Sequence, residues 1–336
     1  MRHSILPLLL GLVVTQVARS QERSPGEIAT LKPGWNQEAN FVALSPDGRL
    51  LASAGYSSDI RIWDVTTARR LYTLKGHSAR AITFSPDGKL LASSAGSVVR
   101  LWDVQRGKQQ GKLEIPIDSG IDLINLLAFR PDGKKLVGAG TGTASFKQGT
   151  VLISWDTGTG KVTESDKLDN DEPAHRLWLS ADGGALARLV SARGDRGGPY
   201  FLRVRDLASK KEFDVSSKEP FSDDRFAAAL SPDGKAAAIG NVLWDVTTGK
   251  QLVALRTESL KGIRHLSFSP DGKFVAAIGD WENRTSIGLY KVKTGDVVFA
   301  FKAHEGEVYS LVISRNGQTM ASVSKDQTLK LWDLDP

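Results

Sequence analysis

A histidine, a serine and an aspartate in one stretch of chain raise the question of nucleophilic catalysis, and residues 304 to 326 contain His304, Ser322 and Asp326. In a triad the aspartate orients the imidazole, which takes the serine proton as the hydroxyl attacks a carbonyl. That chemistry needs the serine on a sharp exposed turn, whereas Ser322 falls inside TMASVS, an alternating run that spells a strand. The triad reading is rejected. Metal chemistry has little more to work with, because His175 and His265 stand alone, without the paired spacing of ligands. The acidic stretch Asp166, Asp169, Asp171 and Glu172 lacks the alternate-position ligands and central glycine of an EF-type loop. Gly158-Thr159-Gly160-Lys161 and Thr248-Gly249-Lys250 end like phosphate loops, but Trp155 and Trp244 occupy the place of the first glycine. Arg193-Gly194-Asp195 spells an adhesion tripeptide in a loop rich in Gly and Arg, where chance supplies it readily. Asn283-Arg284-Thr285 is a glycosylation sequon only in a eukaryotic source. The residues thus predict no catalytic group, no metal and no cofactor.

The elements that would hold such residues are short and numerous. Of 336 residues, 33 are Gly and 13 are Pro, spread along the chain as punctuation, while a hydrophobic fraction of 40% is enough for a core. The chain has no cysteine, so disulfides, thiolate metal sites and a lipid-modified cysteine are excluded. Its formal net charge of +6 is small and dispersed, which argues against a nucleic-acid binder. Residues 1–20 read as a cleavable signal peptide: Arg2 is the positive start, Ile5 to Val14 the apolar run, and Ala18-Arg19-Ser20 the small-x-small cleavage site. Ten apolar residues are about half the ~20 needed to span a bilayer, so the expectation is a secreted or periplasmic protein without an integral membrane segment.

One tetrapeptide returns through the mature chain. Ser45-Pro46-Asp47-Gly48, Ser85-Pro86-Asp87-Gly88, Ser231-Pro232-Asp233-Gly234 and Ser269-Pro270-Asp271-Gly272 are intact. Arg130-Pro131-Asp132-Gly133, Ser180-Ala181-Asp182-Gly183 and Ser314-Arg315-Asn316-Gly317 are degenerate copies. Each lies between two apolar alternating runs, where a tight hairpin turn is required. A second landmark follows: Trp63-Asp64, Trp102-Asp103, Trp155-Asp156, Trp244-Asp245 and Trp332-Asp333 end a third strand, with Arg205-Asp206 and Tyr290-Lys291 at the equivalent points of repeats four and six.

These landmarks, with Gly76-His77 and Ala303-His304 ahead of first strands, resemble the WD40 repeat family over essentially the whole mature chain. The resemblance implies an all-β fold, a seven-bladed WD40-type β-propeller over residues 21–336. Its blades fall at about 35–75, 76–115, 116–165, 166–217, 218–256, 257–302 and 303–336. Repeat seven stops after its third strand, so residues 27–32, EIATLK, which match RLYTLK and VVFAFK, are expected to supply the fourth. Ile28, Thr30 and Leu31 carry its alternation, and Ile28 and Leu31 are expected to be buried. The resemblance also gives His304, Ser322, Asp326 and Trp332 a structural role, the imidazole bridging a loop Asp and a strand Ser that bonds the Trp ring nitrogen. Repeat two keeps His77, Ser93 and Trp102 without the Asp, and repeat one keeps Ser53, Asp59 and Trp63 without the His.

In a four-stranded meander the first and third turns lie at one end of a blade, and the second turn and the link onward at the other. The first end is stereotyped. The second carries 141–150, 165–173, 191–200 and 216–224, varied polar stretches of the kind that carry binding on a rigid scaffold. At this end Trp35, Tyr56, Trp281 and Tyr309 form an aromatic surface over blades six, seven and one, while Lys147, Arg193 and Arg196 form a charged one over blades three and four. The residues five places before each turn landmark, Asn40, Arg80, Asn125, His175, Phe226, Arg264 and Tyr309, are expected to ring the central channel. That ring holds no carboxylate to act as a base. The expected function is a monomeric, non-enzymatic scaffold for a protein or peptide partner. The rival is a propeller enzyme, a hydrolase or lyase, working at the channel mouth.

Overall fold

The computed structural model describes residues 25–32, 40–55, 59–76, 78–116, 122–141, 149–168, 174, 176–191, 200–215, 227–257, 260, 262–279 and 284–334. Among them the chain forms seven four-stranded antiparallel sheets, the blades of a β-propeller, and no helix long and apolar enough to cross a membrane. Blade 1 is typical, with strands Phe41–Leu44, Leu50–Ala54, Ile60–Asp64 and Arg69–Leu74 running from the inside outwards.

The recurring tetrapeptide builds its turn from its own side chains. Ser45 Oγ donates to Asp47 Oδ1 at 2.5 Å and accepts the Leu50 N–H at 2.9 Å, closing the turn at the mouth of the hairpin. Gly48 takes φ 72°, a left-handed conformation that L side chains resist, and the corresponding glycine has positive φ in every blade. The same Ser–Asp latch recurs at Ser85, Ser180, Ser231 and Ser269, and at Ser314 with Asn316. The third turn is latched as well. Asp64 Oδ1 accepts both the Thr67 N–H and hydroxyl, at 2.7 and 2.9 Å, as Asp156 does from Thr159 and Asp245 from Thr248.

Blade 7 joins Val308–Ile313, Thr319–Ser324 and Leu329–Asp333 to an outer strand from the other end of the chain, Gly26–Leu31. The ring therefore closes through the N-terminal segment, one residue earlier than the 27–32 read from sequence. Leu31 is buried in a cluster with Leu329 and Leu331 of blade 7 and Leu44, Leu51 and Trp63 of blade 1, so this strand cements the first blade to the last. Ile28 is a correction: it is 46% exposed, not buried. The ladder slips between Glu27 and Ala29, leaving Ile28 as the bulged residue, and Ala29 packs inward in its place.

Candidate functional site

The His–Ser–Asp–Trp set of blade 7 is one hydrogen-bonded chain. Trp332 Nε1–H donates to Ser322 Oγ at 2.9 Å, and Ser322 Oγ lies 2.7 Å from His304 Nε2. His304 Nδ1 lies 3.0 Å from both Asp326 Oδ2 and Thr328 Oγ1. Since the indole can only donate and Asp326 can only accept, Ser322 donates to Nε2 and Nδ1 carries the proton. Burial pushes the His304 imidazole below its ordinary value, outweighing the upward pull of Asp326. Burial of Asp326 works the other way, but the hydroxyl and N–H of Thr328, the His304 ring and the Glu305 N–H hold its carboxyl down at about 2. Ser322 is 0% exposed and both its partners are internal, so its hydroxyl cannot reach a substrate. The geometry is that of a structural clamp.

The same register can be followed around the ring. Ser322 pairs with Lys330 and Met320 with Trp332; Ser53 pairs with Arg61 and Leu51 with Trp63; Ser93 pairs with Arg100 and Leu91 with Trp102. Trp63 and Trp102 bond Ser53 and Ser93, each at 2.8 Å. Asp59, however, stands in register with Thr328 and not with Asp326, and its carboxylate accepts the Gly76 N–H at 2.8 Å. His77 lies outside the described residues. In blade 3 the serine position is Gly138, and Trp155 turns to the Glu114 carbonyl at 3.0 Å. In blade 5 it is Ile239, and the Trp244 ring nitrogen is buried without a hydrogen-bond partner.

Blade 4 exchanges the set for charge. Arg188 holds the serine position and Arg205 the tryptophan position, since Leu186 pairs with Arg205 and Arg188 with Arg203. Arg188, 1% exposed, donates to Glu212 Oε1 at 2.8 Å, and Arg205 reaches the same oxygen at 3.3 Å and Asp166 of blade 3 at 2.7 Å. Arg205 is visible in the sequence at the tryptophan landmark, and Arg188 carries no such landmark, because it stands two rungs along the neighbouring strand.

At the loop-bearing end, Asn40, Arg80 and Arg264 occupy equivalent places. Their N–H groups donate to carbonyls at or next to the ends of the second strands, those of Ala54, Ser94 and Ile278, at 2.9, 2.7 and 2.9 Å. Asn125 and Tyr309 are the bulged residues of first strands, at the register shifts Ile124/Leu126 and Val308/Ser310. A bulge re-aims a side chain, and all five of these residues are half-buried. Tyr309 packs partly against the core cluster of blades 7 and 1 and so is less open than a loop position. Trp35, Tyr56, His175, Phe226 and Trp281 lie outside the described residues, as do Lys147, Arg193 and Arg196.

At the opposite end a cleft of about 540 Å³ involves Asp87, Asp132, Asp156 and Arg315. The Ser85 hydroxyl, with the Lys89 N–H behind it, holds Asp87 below its usual range, and the Thr159 N–H and hydroxyl do the same for Asp156. A general acid or base is poised near neutral pH, the reverse of these carboxyls. Desolvation takes His265, in the inner strand of blade 6, down to about 4. Among the described residues no three His, Cys, Asp or Glu side chains gather as metal ligands would.

Comparison with known proteins agrees with this distribution. Residues 27–64, 68–103 and 295–333 match the family described as WD domain, G-beta repeat. Those three stretches each end one residue past Trp63, Trp102 and Trp332, the tryptophans bonded to a strand serine. A human protein, transducin beta-like protein 2, is 30% identical over 177 residues, 50% of this chain and 37% of its own. An Arabidopsis thaliana WD repeat-containing protein 26 homolog is 25% identical over 93% of this chain and 51% of its own. A rice guanine nucleotide-binding protein subunit beta is 24% identical over 97% of this chain and 90% of its own. The chain thus spans about half or less of the first two.

Proposed function

We propose that this seven-bladed propeller of WD40-type repeats is an exported, monomeric, non-enzymatic scaffold that binds a protein or peptide through its loop-bearing end. Relatives with WD repeats are typically protein-interaction scaffolds, which supports the class of function. The observation that carries the choice of end is the contrast between the two. One end consists of turns whose Ser, Asp and Thr side chains are spent on each other and on the backbone. The other takes the varied connections read from the sequence, beside the half-buried Arg80, Arg264 and Tyr309. Trp35, Tyr56 and Trp281 fall in connections that the meander assigns to this end: the link into blade 1 and the second turns of blades 1 and 6. Together with Arg80, His175, Arg264 and Tyr309 they make up the proposed partner-binding set.

Affinity capture from the envelope or culture fluid, followed by titration of the captured partner, tests this reading. Trp281→Ala and Trp35→Ala should each cost about 2 kcal/mol of affinity, roughly 30-fold, with no change in melting temperature. A double Trp variant that binds normally, beside an Arg193→Ala/Arg196→Ala variant that does not, places the partner on the other side of the ring. N-terminal sequencing of the mature protein should begin near Gln21; an intact Met1 in the exported fraction contradicts cleavage.

A further inference from the structure

The seam between blades 3 and 4 departs from the repeat at three positions together. Arg130 replaces the serine of the first turn, Arg188 the serine of the second strand and Arg205 the tryptophan of the third. The first-turn serine stands in all six other blades and the strand serine with its tryptophan in blades 1, 2 and 7, and no blade outside this seam puts an arginine at any of the three positions, so three guanidinium groups at one seam call for a separate reason. Arg130 Nη1 crosses the seam to the Gly183 carbonyl at 2.9 Å, and Arg205 crosses it to Asp166.

A cleft of about 350 Å³ opens at this seam, within the size range of small-molecule sites. Its floor is apolar, from Val137 and Leu152, and its walls carry four cationic side chains, Arg130, Lys135, Arg205 and Lys210, against two carboxylates. Both carboxylates are engaged, Glu164 by Lys135 at 3.3 Å and Asp166 by Arg205 at 2.7 Å. Lys210 is exposed and has no ion-pair partner among the described residues. Behind Arg205, Glu212 Oε1 serves both Arg188 and Arg205, and Arg188 Nε and Nη1 are buried without a hydrogen-bond partner. Arg188 itself does not line the cleft; it faces the cleft only through Glu212 and Arg205.

We propose that the seam between blades 3 and 4 is a binding site for a small organic oxyanion, a carboxylate or phosphate carried on an apolar body. Guanidinium and ammonium groups recognise the oxyanion, and Val137 and Leu152 take the body. A bare inorganic ion would leave that floor uncovered. The site lies on the flank of the ring and is independent of the loop-bearing end.

Isothermal titration of the full chain with phenyl phosphate, benzoate, neutral benzamide and inorganic phosphate tests it. Phenyl phosphate or benzoate should bind at least about tenfold tighter than benzamide and than inorganic phosphate. Lys210→Gln, an exposed change that leaves the fold alone, should weaken that binding about tenfold, the scale of one charge-assisted contact. Arg205→Trp restores the residue of blades 1, 2 and 7 and should abolish binding by filling the cleft. No binding of either aromatic oxyanion up to about 1 mM, equal binding of benzamide, or full retention by Lys210→Gln would overturn the proposal. Inorganic phosphate binding as tightly as phenyl phosphate overturns the organic ligand in favour of an adventitious ion only. Saturating phenyl phosphate should leave capture of the loop-face partner unchanged; competition between them would mean that the partner's own carboxylate fills this cleft, and would overturn the small-molecule ligand.

Discussion

Blades 7 and 4 solve one packing problem with opposite chemistry. At the same ladder positions blade 7 places Ser322 and Trp332 in a chain with a neutral imidazole, and blade 4 places Arg188 and Arg205 around Glu212. Every polar atom of the first chain has a partner, while two nitrogens of the second do not. Both blades are nevertheless regular four-stranded sheets with latched first turns. Strand pairing and turn chemistry therefore set the propeller, and the polar set is an exchangeable clamp on top of them. A blade that gives up the clamp frees its seam for another use.

The contrast can be broken most severely at the outer strands, because blade 7 borrows one from across the chain and blade 4 does not. Deleting 26–31 removes the burial of Leu31, about 1.5 to 3 kcal/mol, and ladder hydrogen bonds worth about 0.5 to 1.5 kcal/mol each. That is a large share of the stability of an ordinary domain, so the ring should open and aggregate on gel filtration. An unchanged melting temperature would show that blade 7 stands without it.

Within the blades, His304→Ala leaves the buried Ser322 hydroxyl without its acceptor, at about 1 to 3 kcal/mol, while Asp326 keeps the Thr328 and Glu305 donors. Arg188→Met removes a buried charge whose partner Glu212 still has Arg205, and should change stability by less than about 1 kcal/mol in either direction. Denaturant midpoints decide; equal losses would erase the distinction between clamp and ionic seam. A finer comparison is Ser322→Ala against Ser53→Ala. Ser322 bonds both His304 and Trp332, whereas the bond shown for Ser53 is to Trp63, so the first change should cost about 1 kcal/mol more in the same melts.

The smallest effect is the pH dependence that the blade 7 clamp adds to that of His265 and the turn carboxyls. His304 sits below its ordinary value in the fold, so the unfolded chain takes up its proton first and stability falls as pH drops through about 6.5. Asp326 adds stability that is complete above its ordinary value of 3.8 and is lost as pH falls to about 2. The arginines of blade 4 stay charged throughout. Asp326→Asn should flatten the loss between pH 4 and 2; a wild-type stability that rises on acidification contradicts both signs.

The sequence made the propeller legible because its turns are local. Ser–Pro–Asp–Gly carries its own latch and its own left-handed glycine, and seven copies count the blades. What depends on register was harder to read. Ile28 was expected inside and lies outside because a bulge, which no residue type announces, shifts the ladder at that point. Tyr309 and Asn125 stand at register shifts of the same kind, which residue types likewise do not announce. Asp59 resembled Asp326 in type, yet its place two rungs away gives it the Gly76 N–H to hold. Arg188 acquires its meaning only when paired strands are compared between blades.

Hydrogen exchange of the propeller with and without its captured partner tests the central claim most directly. Binding through the loop-bearing end predicts slowed exchange at 33–39, 56–58 and 280–283 and around Arg80 and Arg264, with the latched turns at 45–48, 85–88 and 269–272 unchanged. Slowed exchange confined to those latched turns would put the partner on the opposite end and contradict the account.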